Sequence, residues 1–292
     1  MRWEGNEESS NVEDRRGEGG GGGGGFGFGG RSIGLGTIVI ALIGSWLFGV
    51  SPSTILNLLS GGGGAPVVQQ APSQRPVAED EQTRFVKVVL GMTEKTWADI
   101  FREHNATYKN PTLVLFDGAT ATACGTGESA AGPFYCPADQ QVYIDLSFYN
   151  LMRERFHESG EFAQAYVIAH EVGHHVQNLM GISDKVDQAR RSAGGSQANA
   201  LSVRMELQAD CFAGVWGNRT NQAKNILEQG DVESALHAAS AIGDDTLQRQ
   251  SRGVVVPDAF THGTSAQRVR WFKRGLDSGD IEQCKTFEAK QL

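Results

Sequence analysis

His170, Glu171 and His174 stand in the order H-E-x-x-H within the run Tyr166-Val167-Ile168-Ala169-His170-Glu171-Val172-Gly173-His174-His175. On a helix, residues i and i+4 share one face, so both imidazoles can present a nitrogen to one metal ion. Glu171 lies beside that face, within reach of a water on the ion. An ion held this way lowers the pKa of its water towards about 7 and polarises a carbonyl. A carboxylate at Glu171 can take the water proton and return it to a leaving amine. The chemistry this spacing suits is zinc-dependent hydrolysis of a peptide bond. The plainer alternative is two histidines in an ordinary helix. Against it, Glu171 is the only charged residue between Phe162 and Met180.

A catalytic zinc usually has three protein ligands and one open position. A third histidine in the extended H-E-x-x-H-x-x-G-x-x-H pattern would fall at 180, with glycine at 177. Those positions hold Met180 and Gln177, which excludes that class. Downstream, Glu206-Leu207-Gln208-Ala209-Asp210 forms E-x-x-A-D among the apolar residues Met205, Phe212 and Val215. Glu206 is the candidate third ligand. Asp210, one turn on, can accept the second ring N–H of His170 and fix its tautomer. His175 lies about 100° around the helix from His174, which suits a supporting or structural role. His104, His157 and His237 have no partner pattern.

Two strong helices must carry these groups. Glu161–Met180 places Phe162, Ala165, Ala169, Val172, Val176 and Leu179 on one stripe, and Gly181 stops it. Ala198–Trp216 carries Glu206 and Asp210. Further helices are expected at 84–104, 148–156, 231–242 and 265–275. Residues 183–195 read as a loop with some helix. Thr112–Phe116 suits a strand, and Phe134-Tyr135 with Val142–Leu146 reads as a hairpin. The expected fold is α+β: a helix-rich catalytic domain over 83–292 with a small antiparallel sheet.

The N-terminal part differs in composition. Residues 17–30 are almost all glycine and are expected to be disordered, within an arm spanning 1–31. Ser32–Val50 is an uncharged apolar run just long enough to cross about 30 Å of hydrocarbon. A Pro/Gln/Ala-rich linker fills 51–82. Arg15, Arg16 and Arg31 precede the run, and no Lys or Arg follows it closely. By the positive-inside rule, a single transmembrane helix at 32–50 puts the N-terminus in the cytoplasm and residues from 51 onward outside the inner membrane, in a periplasmic or extracellular position. A cleaved signal peptide is the rival; the long preceding region disfavours it. The net charge of −8 gives no footprint for nucleic acid.

Of the four cysteines, none sits in C-x-x-C. Outside the cytoplasm they would oxidise. Cys124 and Cys136 flank the turn signals Gly125-Thr126-Gly127 and Gly132-Pro133, so they are expected to pair, contributing roughly 3 kcal/mol by loop entropy. Cys211 and Cys284 then remain to tie the tail to the core.

HEVGHH, GPFYCP followed by VYIDL, ELQADCFAGVW and FTHGTSAQR together resemble the neutral zinc metallopeptidase family of bacterial membrane-anchored proteins, over about residues 83–292. The resemblance implies a gluzincin-type, zincin-like site with Zn²⁺ held by His170, His174 and Glu206. The E-x-x-A-D also resembles that of the integral-membrane heat-shock and prenyl-protein zinc peptidases, in which a T-H-P-x-x-x-x-R segment follows. Thr261, His262 and Arg268 match that segment, while Gly263 replaces its proline. His262 thereby becomes a candidate donor to the oxyanion of the reaction, and Arg268 a candidate to orient it or to pair with Asp210. The expected partners are a peptide or protein substrate and the membrane through one span. Two other classes stay open at this point: a membrane-tethered binding protein with a structural zinc, and a non-catalytic envelope scaffold whose Gly-rich arm recruits a partner.

Overall fold

The computed structural model describes residues 1–17, 80–129, 132–155, 158–252 and 254–292. The expected span at 32–50, nearly all of the Gly-rich tract, most of the 51–82 linker and His157 lie outside the described residues. Among the described residues, no helix is long and apolar enough to cross a membrane.

Helix α1 (Glu81–Glu103) begins where the Asp80 side chain accepts the Thr83 N–H, a cap that satisfies one of the orphan donors of the first turn. Its inward stripe, from Phe85 through Trp97 to Phe101, is buried. Strands β1 (Val12–Asp14), β2 (Thr112–Leu115), β5 (Phe134–Cys136) and β6 (Gln141–Ile144) form a sheet in the order β1-β2-β6-β5. The expected hairpin is present, with Phe134 opposite Tyr143. The sheet as a whole is mixed, however, because β1, β2 and β6 run parallel. The residue pattern explains this. Leu113-Val114-Leu115 and Val142-Tyr143-Ile144 are buried on both faces, as parallel strands usually are. The antiparallel ribbon β3 (Ala119–Thr122) with β4 (Gly125–Glu128) stands apart as a second sheet. Gly125 and Gly127 are thus strand residues, and the ribbon turns at Ala123-Cys124.

The helical part follows: α2 (Ser147–Arg155), α3 (Glu161–Leu179), α4 (Ile182–Ser192), α5 (Gly195–Lys224), α6 (Asp231–Ala241), α7 (Asp244–Arg252) and α8 (Ser265–Ser278). The expected loop at 183–195 is mostly the exposed helix α4. Helix α5 runs past Trp216 until Asn225 turns left-handed at φ 54°. Helix α8 starts on a capping box between Thr264 and Gln267 and ends at Gly279. Gly275 does not stop α8. It sits where α8 crosses α5, and a Cβ there would collide with the Cys211 carbonyl. Both expected disulfides form: Cys124–Cys136 ties the ribbon turn to β5, and Cys211–Cys284 ties the tail to α5.

The first 17 residues correct the sequence reading. They are folded into this domain and are not part of a disordered arm. Val12, Glu13 and Asp14 pair with Leu113, Val114 and Leu115. Trp3 is buried, with its ring edge on Phe85 at 5.5 Å and its Nε1–H donated to Glu161 at 2.8 Å. The segment crosses α1 at Gly91, where a Cβ would lie 2.9 Å from the Glu7 carbonyl oxygen and 3.2 Å from the Ser9 nitrogen. A strand bonded into the sheet shares its compartment.

Gly91→Ala tests this packing by the sign of its effect. In an exposed helix interior, alanine is more stable than glycine by about 1 kcal/mol. Here the added methyl meets backbone that cannot swing aside, and overpacking of this kind costs about 1–3 kcal/mol. Chemical denaturation should show Gly91→Ala to be less stable than wild type. A gain in stability would mean that residues 7–9 do not rest on α1.

Candidate metal centre

The site forms where α3 and α5 cross. Gly173, one turn along α3 from His170, faces Ala209 of α5. A Cβ on Gly173 would stand 3.0 Å from the Ala209 carbonyl oxygen and 3.1 Å from its Cα. Two small residues thus let the helices approach closely enough for short-range contact between their polar side chains. His170 Nε2 lies 3.2 Å from Glu206 Oε2, and His174 Nε2 lies 3.6 Å from Glu206 Oε1. Among the described residues, these three form a group whose potential ligand atoms all lie within 4.8 Å of one another.

The other ring nitrogens show which lone pairs are available. His170 Nδ1 lies 2.9 Å from Asp210 Oδ1. The Arg268 guanidinium holds that carboxylate in a fork: Nε donates to Oδ2 at 2.9 Å and Nη2 to Oδ1 at 2.8 Å. The Tyr166 hydroxyl donates to Oδ1 at 2.6 Å. Burial pushes the Asp210 pKa up, but Arg268 and His170 outweigh it and hold it at about 2. An ionised Asp210 can only accept, so His170 Nδ1 carries a proton and Nε2 is the ring nitrogen turned toward Glu206, the one that would bind an ion. His174 Nδ1 lies 2.8 Å from Gln177 Oε1. The Gln177 amide nitrogen donates to the Met205 carbonyl and to Gln208, which leaves its oxygen as the acceptor for His174. Both Nε2 atoms therefore converge on one carboxylate, a donor set that fits a zinc ion once their protons give way to the metal. Burial also lowers the His175 pKa. Its Nε2–H donates to the Lys109 carbonyl at 2.7 Å, and its Nδ1 accepts from Tyr135 at 3.0 Å. It pins β5 against α3 and stays off the ligand face, as its angle on the helix suggests.

These groups open onto a cleft of about 610 Å³, whose walls include Phe134, Tyr135, Glu171, Glu206 and His262. Burial raises the Glu171 pKa, partly countered by His170 and His174, so its carboxylate is more basic than a solvated one. His262 comes from the turn before α8. Asp244, at the start of α7, accepts the backbone N–H groups of Thr261, His262 and Gly263 at 2.7, 2.6 and 3.0 Å. Its other oxygen lies 3.3 Å from His262 Nδ1. Arg268 pairs with Asp210 and not with His262.

The structure brings His170, Glu171, His174, Glu206, Arg268 and His262 to this one cleft, with Asp210 buried behind His170. Sequence reasoning missed Tyr166, Gln177 and Asp244. Tyr166 and Gln177 stand four residues before His170 and three after His174, spacings that put each beside its histidine on the helix. Asp244 left no comparable signal, because it meets His262 only through the fold. His104 bonds its own helix end, and His237 lies 3.3 Å from Glu158.

The chain matches the family described as "Putative neutral zinc metallopeptidase" over residues 1–287, and it belongs to that family. The match includes the segment that carries β1. The Escherichia coli K12 protein YpfJ is 53% identical over 98% of this chain and 99% of its own length. The Mycobacterium tuberculosis H37Rv protein Rv2575 is 40% identical over 73% of this chain and 74% of its own. Both are named as uncharacterized proteins. No solved structure matches the chain.

Removing Arg268 leaves Asp210 buried and charged without its strongest partner. Breaking a buried pair from one side typically costs about 3–5 kcal/mol. Arg268→Ala should lose stability on that scale in urea titrations near neutral pH. A loss below about 1 kcal/mol would show that Asp210 does not depend on the guanidinium.

Proposed function

We propose that this protein is a zinc-dependent endopeptidase. The observation that carries this reading is that two oriented imidazoles and a carboxylate converge at the wall of an open cleft, with Glu171 beside them. Bound by His170, His174 and Glu206, zinc would supply Lewis acidity toward a scissile carbonyl and acidify a water. The chain's own groups do the rest. Glu171 takes the proton of the attacking water and passes it to the leaving amine. Asp210, held by Arg268 and Tyr166, keeps His170 in one tautomer and orientation. His262, held by Asp244, donates a hydrogen bond to the oxyanion.

Strand β5 supports a peptide substrate. It is the end strand of its sheet, and Phe134 and Tyr135 face the cleft. An extended peptide can add to such an edge through backbone hydrogen bonds. The rival reading, a binding or scaffold protein with a structural zinc, calls for a closed set of four ligands. Three converge here among the described residues, which favours catalysis.

Three substitutions separate the roles. Glu171→Gln should retain zinc and lose at least ~100-fold in kcat, the typical contribution of a general base. Glu206→Ala should lose zinc on dialysis against a weak chelator that leaves wild type loaded. His262→Ala should keep zinc and melting temperature while kcat falls ~100-fold to ~1000-fold. Full activity in Glu171→Gln, or wild-type zinc retention in Glu206→Ala, contradicts the assignment.

A further inference from the structure

The two ends of the 18–79 stretch meet in one folded domain. On the entering side, β1 is bonded along β2. The Arg15 guanidinium is buried, donating to Glu13 at 2.8 Å and lying over the Tyr143 ring at 5.8 Å. Ser9 and Asn11 each donate to Glu94 of α1 at 2.8 Å. On the returning side, Arg16 donates to Thr83 at 2.9 Å and reaches Asp80 at 3.4 Å. The point where the chain leaves the domain and the point where it comes back are therefore joined by a direct ion pair.

These contacts also remove the charge argument for a cytoplasmic N-terminus. Arg15 is paired with Glu13, and Arg16 with Asp14 and Asp80. They act as structural cations within the sheet and are poor candidates for free topogenic charges. A sheet and its ion pairs cannot form across about 30 Å of hydrocarbon. All four cysteines are paired, in two disulfides that an oxidising compartment sustains.

We infer that residues 1–17 lie on the same face of the membrane as the metal centre, and that this is the outer, oxidising face. A cytoplasmic position for residues 1–17 is the alternative that this inference replaces. The inference does not depend on the proposed peptidase activity, since it rests on β1, its ion pairs and the disulfides alone.

The absence of free cysteines makes the test direct, because one added cysteine becomes the sole free thiol. Ser10 and Ser196 are both exposed, one beside β1 and the other on α5. Ser10→Cys and Ser196→Cys would be made separately in the full chain and expressed in a Gram-negative bacterium. Intact spheroplasts would then be treated with a membrane-impermeant maleimide, with Glu4→Cys as a second probe of the N-terminal segment. The expected result is that all three variants label in intact spheroplasts, to within twofold of their labelling in detergent, while wild type does not label. The inference is overturned if the N-terminal probes label only after the membrane is opened. It is equally overturned if all three need opening, or if wild type itself labels.

Discussion

The site depends on how closely two helices approach. Gly173 and Ala209 meet at the crossing of α3 and α5, and each larger side chain there would move His170 and His174 away from Glu206. The same device recurs one layer on. Gly214 and Gly275 let α5 and α8 come into backbone contact, which delivers Arg268 to Asp210. Three helices are thus stacked at short spacing, and a continuous polar line, Glu206 to His170 to Asp210 to Arg268, runs through the stack.

That line has a cost in stability. Buried ion pairs are often no better than apolar residues of the same volume, because desolvation offsets their attraction. Here Asp210 is fully buried and takes hydrogen bonds from Arg268, Tyr166 and His170. Its contribution lies in orientation. It holds the His170 ring in one orientation with Nε2 aimed at the metal position, and Gln177 does the same for His174. Asp244 works similarly from the other wall, fixing a turn by three backbone N–H groups so that His262 stays in the cleft.

Much of this was legible in the residue order. The i, i+4 histidines, the E-x-x-A-D spacing and the dominant helices all follow from periodicity. The short-loop disulfide followed from its flanking turns, although the turn itself lies at Ala123-Cys124. What escaped was tertiary. Asp244 lies just past the helix expected at 231–242, in no recognised motif, yet it organises a segment 17 to 19 positions away. Strand β1 is three residues long, flanked by polar sequence and followed by glycine, so no periodicity marks it. Its arginines read as topogenic charge because the acids that pair with them, Glu13 and Asp14, carry little weight in a Lys/Arg count. Gly91 was the available clue: a glycine inside a helix often records the close approach of another backbone.

The central claim is that two imidazole nitrogens and one carboxylate hold zinc with a position left open. X-ray absorption at the zinc edge of the purified full-length protein tests it most directly. The account predicts one zinc per chain with two nitrogen neighbours showing imidazole outer-shell scattering, the remaining neighbours being oxygen. At least one of those oxygens should be exchangeable, seen as a changed edge on adding a hydroxamate. Sulfur in the shell, a third imidazole, or a spectrum that no added ligand alters would contradict it.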